Sequence, residues 1–229
     1  MTDALLDRAA CANLADAALR KARLAGVAYA DIRIGGNQSE FLYAREDKLK
    51  AVNSAVETGV GLRVLVNGSW GFAGSNTVGE VDRLVDAAVE NARAAARIQK
   101  PPIVIEDLPA HTADWAMPLG VDPFTVPADA KAAHLLAINE AAMQAGADYC
   151  AAMFQFVREQ KFFASTRGGE IRQTRVRSYP FFRATAVDRD SGRFATRDSL
   201  AAARGAGWDY IEFCDLVGEA NRAGAEARE

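Results

Sequence analysis

The sequence predicts an α+β fold: an antiparallel or mixed β-sheet with helices packed on one face, in the order helix–strands–helix–helix–strands–helix. Three observations predict it. The hydrophobic period is helical near the N terminus, changes to two beyond Tyr29, and makes the same change again beyond Tyr149. A hairpin signature around Asn67-Gly68 makes two neighbouring strands antiparallel. Strands come in blocks and do not alternate singly with helices, which argues against an all-parallel sheet.

The first helix is expected from Asp3 to Leu24, where Leu5, Leu6, Ala9, Ala10, Leu14, Ala17, Ala18 and Leu24 keep helical spacing and Gly26 supplies a stop. Strands follow at Tyr29 to Ile34, Glu40 to Arg45 and Lys48 to Val56, separated by Gly35-Gly36-Asn37 and Glu46-Asp47. Val60, Leu62, Val64 and Val66 alternate along the next strand. Asn67-Gly68 then suits a type I′ turn, and Trp70 and Phe72 resume on the return strand. Thr77 and Glu80 have capping-box spacing ahead of a helix with one apolar stripe, formed by Val81, Leu84, Val85, Ala88, Val89 and Ala92. The stretch from Pro101 to Val126, rich in Pro, Asp and single aromatics, reads as an irregular connection. Pro127 opens a third helix that Gly146 ends.

Strands return at Cys150 to Val157, Lys161 to Ser165, Glu170 to Arg177 and Phe181 to Asp188, with turns at Thr166 to Gly169, Ser178 to Pro180 and Asp190 to Gly192. The chain ends with a glycine-rich loop, Arg204 to Trp208, and an amphipathic helix using Phe213, Leu216, Val217 and Ala220. The two strand blocks form either one sheet or two subdomains, 1–100 and 127–212, joined by 101–126; periodicity does not decide between them.

Composition narrows function by exclusion. Half of the 229 residues are hydrophobic and a quarter charged, and the formal net charge of −3 gives no global reason to expect nucleic-acid or membrane binding. No apolar run approaches the roughly 18 residues of a transmembrane helix. Cys11, Cys150 and Cys214 are odd in number and far apart, which argues against a disulfide framework and fits a reducing cytoplasm.

Candidate chemistry is sparse. A zinc site needs convergent ligands, and the only histidines, His111 and His134, have no Glu at motif spacing. Ser69 lacks the second glycine of a nucleophile elbow, so its hydroxyl is expected to decorate the hairpin turn. Cys150 sits in an apolar strand and reads as inert core. Gly59-Val60-Gly61 precedes no helix, so it is no phosphate cradle; glycines in a strand instead mark a bulge or a close backbone approach, including that of a peptide. Between Arg158 and Arg204 there are eleven Lys/Arg against five Asp/Glu. Arg175, Arg177 and Arg183 share one parity and are expected to project from one face. A solvated face, an acidic partner and a nucleic acid are the three readings of that row.

Gly59-Val-Gly61-x-Arg63 followed by Trp70-Gly-Phe-Ala73 resembles the N-terminal domain of the TldD/PmbA family, and the likeness extends along most of the chain. Tyr29-Ala-Asp-Ile-Arg33 is similar to the family's opening strand, Glu46-Asp47 to a hairpin turn, Thr166 to Gly169 to a Thr-Asp-Gly-like turn, and Arg177 to Arg189 and Arg204 to Tyr210 to the closing strands and loop. Trp208 and Asp209 depart from that loop's pattern.

The resemblance implies that residues 1–229 form the N-terminal domain of a zinc-dependent peptidase acting on extended, unfolded peptides beside a homologous PmbA/TldD-type subunit. It implies that the zinc-binding His-Glu-x-x-x-His string lies beyond residue 229, so this chain is expected to hold no cofactor and no catalytic residue. Gly59, Gly61, Arg63, Gly205, Gly207, Trp208 and Tyr210 are then the residues expected nearest the substrate. The family is also linked by name to modulation of DNA gyrase, so a non-catalytic regulatory protein is the alternative. Whether residue 229 is a natural end or a truncation is left open by the sequence, with the resemblance favouring truncation.

Overall fold

The computed structural model describes residues 6–98, 100–107 and 109–229. Its elements are α1 (Arg8–Leu24), β1 (Tyr29–Arg45), β2 (Lys48–Val66), β3 (Ser69–Ser75), α2 (Val81–Ala95), β4 (Thr112–Ala116), a 3-10 turn (Pro123–Thr125), α3 (Ala128–Gln144), β5 (Tyr149–Ser165), β6 (Glu170–Val187), β7 (Phe194–Asp198), α4 (Trp208–Phe213) and α5 (Leu216–Arg228). The strands pair in the order β3-β2-β1-β5-β6-β4, with β7 also on β6. The expected α+β class is what the molecule shows, with β4 parallel to β6 and β3 and β7 antiparallel to their partners.

The chain folds as two compact units, each assembled from three separate stretches. The first comprises the described residues of Met1–Asn37, Val56–Ala116 and Glu159–Thr174; the second comprises Gln38–Ala55, Met117–Arg158 and Arg175–Glu229.

In the first unit, α1 begins at an Asp7 cap whose carboxylate accepts from the Ala10 N–H at 2.6 Å. The predicted start at Asp3, and Leu5 in its stripe, lie outside the described residues. Gly26 follows the C-cap at φ +75°, the left-handed position that ends helices. The hairpin forms as its sequence requires: Asn67 and Gly68 have φ of 49° and 75°, and Leu65 faces Trp70 across the ladder. Even-numbered residues Ala30, Ile32, Ile34, Leu62 and Val64 join the stripe of α2 and the inner face of α1 in one apolar core.

In the second unit, Leu42, Ala44, Phe154, Phe156, Phe182 and Ala184 pack with Leu135 and Ile138 of α3 and Leu216 and Ala220 of α5. Cys150 belongs to this core, and burial pushes its thiol up to about 12, so it stays protonated at physiological pH. Among the described residues, no helix is long and apolar enough to cross a membrane.

Several local expectations are corrected. Gly35-Gly36-Asn37 does not interrupt β1, because neither glycine adopts positive φ and both fit extended backbone. The break expected after Val56 is absent too, since β2 runs on to Val66. Likewise β5 runs unbroken from Tyr149 to Ser165.

Ser178-Tyr-Pro180 does not end β6. Pro180 falls between the residues paired to β4 and those paired to β7, where a missing N–H costs no ladder bond. The irregular connection contains β4, and β7 was not foreseen; both are short edge strands with mostly exposed side chains, so neither has an alternating pattern.

The Thr77–Glu80 capping box does not form. Helix α2 starts later, with Glu80 itself at the cap and making no side-chain bond there. The single closing helix is two, split where Asp215 takes φ 39° and caps α5 through Gly218 N–H. Consequently Phe213 is exposed, while Leu216 and Ala220 are buried. Ser69 is buried, and its hydroxyl has no hydrogen-bond partner among the described residues, so it does not decorate the turn.

Candidate functional site

The first unit carries the most elaborate polar constellation of the predicted residues, centred on Arg63. Period two places Gly59, Gly61 and Arg63 on the side of β2 opposite the buried Val60, Leu62 and Val64. Arg63 donates from Nε and Nη2 to Asp31 Oδ2 on β1, at 3.0 and 2.7 Å. Its guanidinium lies 4.4 Å from the Trp70 ring centroid on β3. Asp31 is completely buried, and its other oxygen lies 2.8 Å from Arg33 Nη1. One carboxylate therefore serves two guanidiniums. Arg33 in turn stacks 5.4 Å over Phe163.

Tyr29 completes the group. Its ring meets Trp70 edge-on at 5.8 Å. Burial, and then the neighbouring Asp31 carboxylate, raise its phenol pKa, so it remains a neutral donor. These groups border a cavity of about 260 Å³ whose walls include Trp70, Phe163, Ile105, His111 and Ile171. Arg167 fastens one wall: it lies over Tyr29 at 5.6 Å, donates to Glu106 O and pairs with Asp107 at 3.5 Å. Gly61 has little spare space, whereas a side chain at Gly59 would make only ordinary contact. A Cβ at Gly61 would lie 3.2 Å from the Phe72 ring, and one at Gly59 would lie 3.4 Å from Ser75 O.

The second unit holds the other predicted group, where packing dominates. Trp208 is buried against Phe154 at 5.6 Å and Phe156 at 6.0 Å, and its Nε1 donates to Glu212 at 2.9 Å. A Cβ at Gly207 would lie 2.1 Å from Val121 O, and one at Gly205 would lie 3.3 Å from Met117 Sδ. Trp208 N–H donates to Val121 O, and the Asp209 carboxylate accepts from Val121 N–H. Tyr210 donates to Ala202 O at 2.8 Å beneath Arg204. The glycines thus allow the 204–210 segment to lie against residues 117–121, and backbone bonds between Arg204 and Ser178 of β6 hold its other side.

The basic row projects as its parity requires, with Arg175, Arg177 and Arg183 all exposed. It is not a row of free cations. Arg183 makes a two-bond pair with Asp198 at 2.6 and 2.7 Å, and Arg175 and Arg177 have partners of their own.

His111 belongs to the first unit, and His134 to the second. His134 packs at 5.7 Å from Phe154 and 6.0 Å from Trp208, and burial holds its pKa below the usual 6.5. Among the described residues no three His, Cys, Asp or Glu side chains gather as a metal site, so the zinc implied for the family has no fitting donor set here.

The partly buried His134 imidazole makes stability depend on pH. Because the unfolded chain takes up this proton more readily, stability is full above about pH 6.5 and declines as pH falls below it. His134→Phe should flatten that decline in urea melts recorded from pH 5 to 8; an unchanged slope would assign it to other groups.

Sequence reasoning found Arg63 but did not single out Asp31, Tyr29 or Trp70 as its surroundings. The available signal was parity, since Tyr29, Asp31 and Arg33 alternate with buried Ala30, Ile32 and Ile34.

Fold and site together define an α+β protein presenting an aromatic-walled hollow, bordered by the Arg63 guanidinium, on a sheet face. Comparison with known proteins makes this more specific. Residues 30–92, which include Asp31, Arg63 and Trp70, match the model of PmbA/TldA metallopeptidase domain 1. It is 30% identical over 105 residues to a metalloprotease of Methanocaldococcus jannaschii, covering 45% of this chain and 23% of that protein. It is 26% identical over 202 residues to a metalloprotease of Methanothermobacter thermautotrophicus, covering 88% of this chain and 43% of that one. The chain thus spans less than half the length of either relative. In fold it resembles a Thermotoga maritima protein named as a candidate modulator of a DNA gyrase. That likeness has a TM-score of 0.76 at 16% identity, over 95% of this chain and 47% of the other.

Proposed function

We propose that this chain is the N-terminal, substrate-shaping domain of a TldD-like metal-dependent peptidase that acts on extended, unfolded peptides. In this reading the hydrolytic zinc centre lies on polypeptide outside these 229 residues, and a homologous PmbA/TldD-type subunit completes the enzyme. The observation that carries the reading is the Arg63 hollow. It is a small recess on a sheet face, walled by aromatic rings and bordered by a guanidinium held in place by Asp31 and Trp70. At about 260 Å³ it is below the roughly 300–1,000 Å³ of typical small-molecule sites and is suited to a single side chain of a longer ligand. The names of the two metalloprotease relatives support the peptidase assignment.

Gly59, Gly61 and Arg63 are proposed as the substrate-facing residues. The 204–210 segment, with Gly205, Gly207, Trp208 and Tyr210, is proposed to act through the rigidity of its loop. Arg63 here binds and orients; no bond-breaking step is assigned to any residue of this chain. The regulatory alternative rests on the name of a structural neighbour at 16% identity, and shared fold alone does not carry function.

The test is a binding and cleavage experiment on the purified chain with a labelled, permanently unfolded peptide and zinc. The expected result is binding without cleavage. Stoichiometric zinc uptake together with cleavage by this chain alone would overturn the division of labour.

A further inference from the structure

The Arg63 guanidinium has one edge that folding does not use. Nε and Nη2 are committed to Asp31 Oδ2, whereas Nη1 has no hydrogen-bond partner among the described residues. The side chain is 38% exposed and borders the cavity, so its remaining donors face a space that a ligand can enter. The geometry is already fixed: two hydrogen bonds on one side and the Trp70 face beneath leave the planar fork little freedom to lose on binding. Of the charged side chains around the cavity, Arg167 pairs with Asp107 and Glu106 is anionic, so it is the free donors of Arg63, not a net charge, that offer an anion a place. The rest of the cavity is different in character. Ile105, Pro109, Ile171, Phe163 and the Trp70 ring make its surface predominantly apolar.

A cation with free donors at the rim of an apolar recess fits an anion attached directly to an apolar group. Within a polypeptide that combination occurs at the C-terminal residue, where the α-carboxylate sits on the same carbon as the side chain. An internal aspartate or glutamate offers the carboxylate without the apolar body, and an internal leucine or phenylalanine offers the reverse. We infer that the Arg63 cavity receives the C-terminal residue of a peptide, its carboxylate hydrogen-bonded to Arg63 and its apolar side chain between Trp70 and Phe163. This deepens the peptide reading above and rests on it. Binding by the chain end excludes folded proteins whose termini are tied down, and it fixes the direction in which an extended peptide leaves the cavity.

The test compares Ala-Ala-Ala-Phe with a free carboxylate against the same tetrapeptide as its C-terminal amide, by calorimetric titration of the intact 229-residue chain. A charge-assisted pair predicts about tenfold tighter binding of the acid at low salt, a preference that shrinks as salt is raised. Arg63→Gln should abolish the preference, with a thermal melt recorded to show that the variant is folded. Because the acid and amide are compared on the unaltered chain, the outcome does not depend on that variant. Equal affinity for acid and amide would overturn the C-terminal assignment while leaving peptide binding intact. Failure of both peptides to bind would overturn the peptide reading itself.

Discussion

Lys131→Met is expected to remove about 3–5 kcal/mol of unfolding free energy, because it leaves the Glu40 carboxylate inside the second unit without its cation. Lys131 is 1% exposed despite its charge, and its Nζ lies 2.8 Å from both Glu40 oxygens. The same ammonium sits 5.0 Å from the Phe156 ring centroid. Each hydrogen bond stabilises the charge only while both partners remain. Removing one exposes the full desolvation cost of the other. The double replacement Lys131→Met with Glu40→Leu should therefore recover most of the loss, leaving a deficit of about 1 kcal/mol or less. Urea melts of the two single variants and the double variant check this. A loss below about 1 kcal/mol for Lys131→Met would show that water reaches Glu40 freely.

Gly71→Ala should destabilise the first unit by about 3 kcal/mol or more, the upper range for overpacking. A Cβ there would lie 2.0 Å from Ala88 O and 2.5 Å from Ala92 N, both backbone atoms of α2. Rotamer changes cannot relieve such a contact; the helix itself must move off β3, taking the apolar stripe with it. Gly79→Ala provides the control, since nothing lies within 4 Å of a Cβ at that position and its backbone is not left-handed. Its effect should stay within about 0.5 kcal/mol, as for ordinary surface changes. Gly224 plays the corresponding part in the second unit, where a Cβ would lie 2.1 Å from Ala142 O of α3. If Gly71→Ala melts like the unaltered chain, the close strand–helix approach described for the first unit is wrong.

Features set by local chemistry were legible in the sequence. The Asn67-Gly68 turn, the Gly26 and Gly146 helix stops and the α2 stripe all depend on neighbours within a few residues, and each is present. Features set by partners distant in sequence were not. Gly35-Gly36 and Pro180 resemble breaks, yet neighbouring strands hold β1 and β6 extended through them. The edge strands β4 and β7 bury almost nothing, so no alternation reveals them.

The site divides the same way. Arg63 stands out because it sits in the Gly59-Val-Gly61-x-Arg63 pattern. Its partner Asp31 lies on another strand, and only the pairing of β1 with β2 brings it within 2.7 Å. Trp208 stands out in the sequence for its place in a glycine-rich loop. What decides its environment is a set of aromatic neighbours more than fifty positions away, Phe154 and Phe156.

In the proposed function, peptide engages the first unit at Arg63. Hydrogen–deuterium exchange of the 229-residue chain, with and without saturating Ala-Ala-Ala-Phe, tests it most directly. Slowed exchange is expected at Gly59 to Arg63, around Trp70, and at Ile105, Glu106, Ala110 and His111, with residues 204–210 unchanged. Protection confined to 204–210, or to the exposed arginine row of β6, would contradict it.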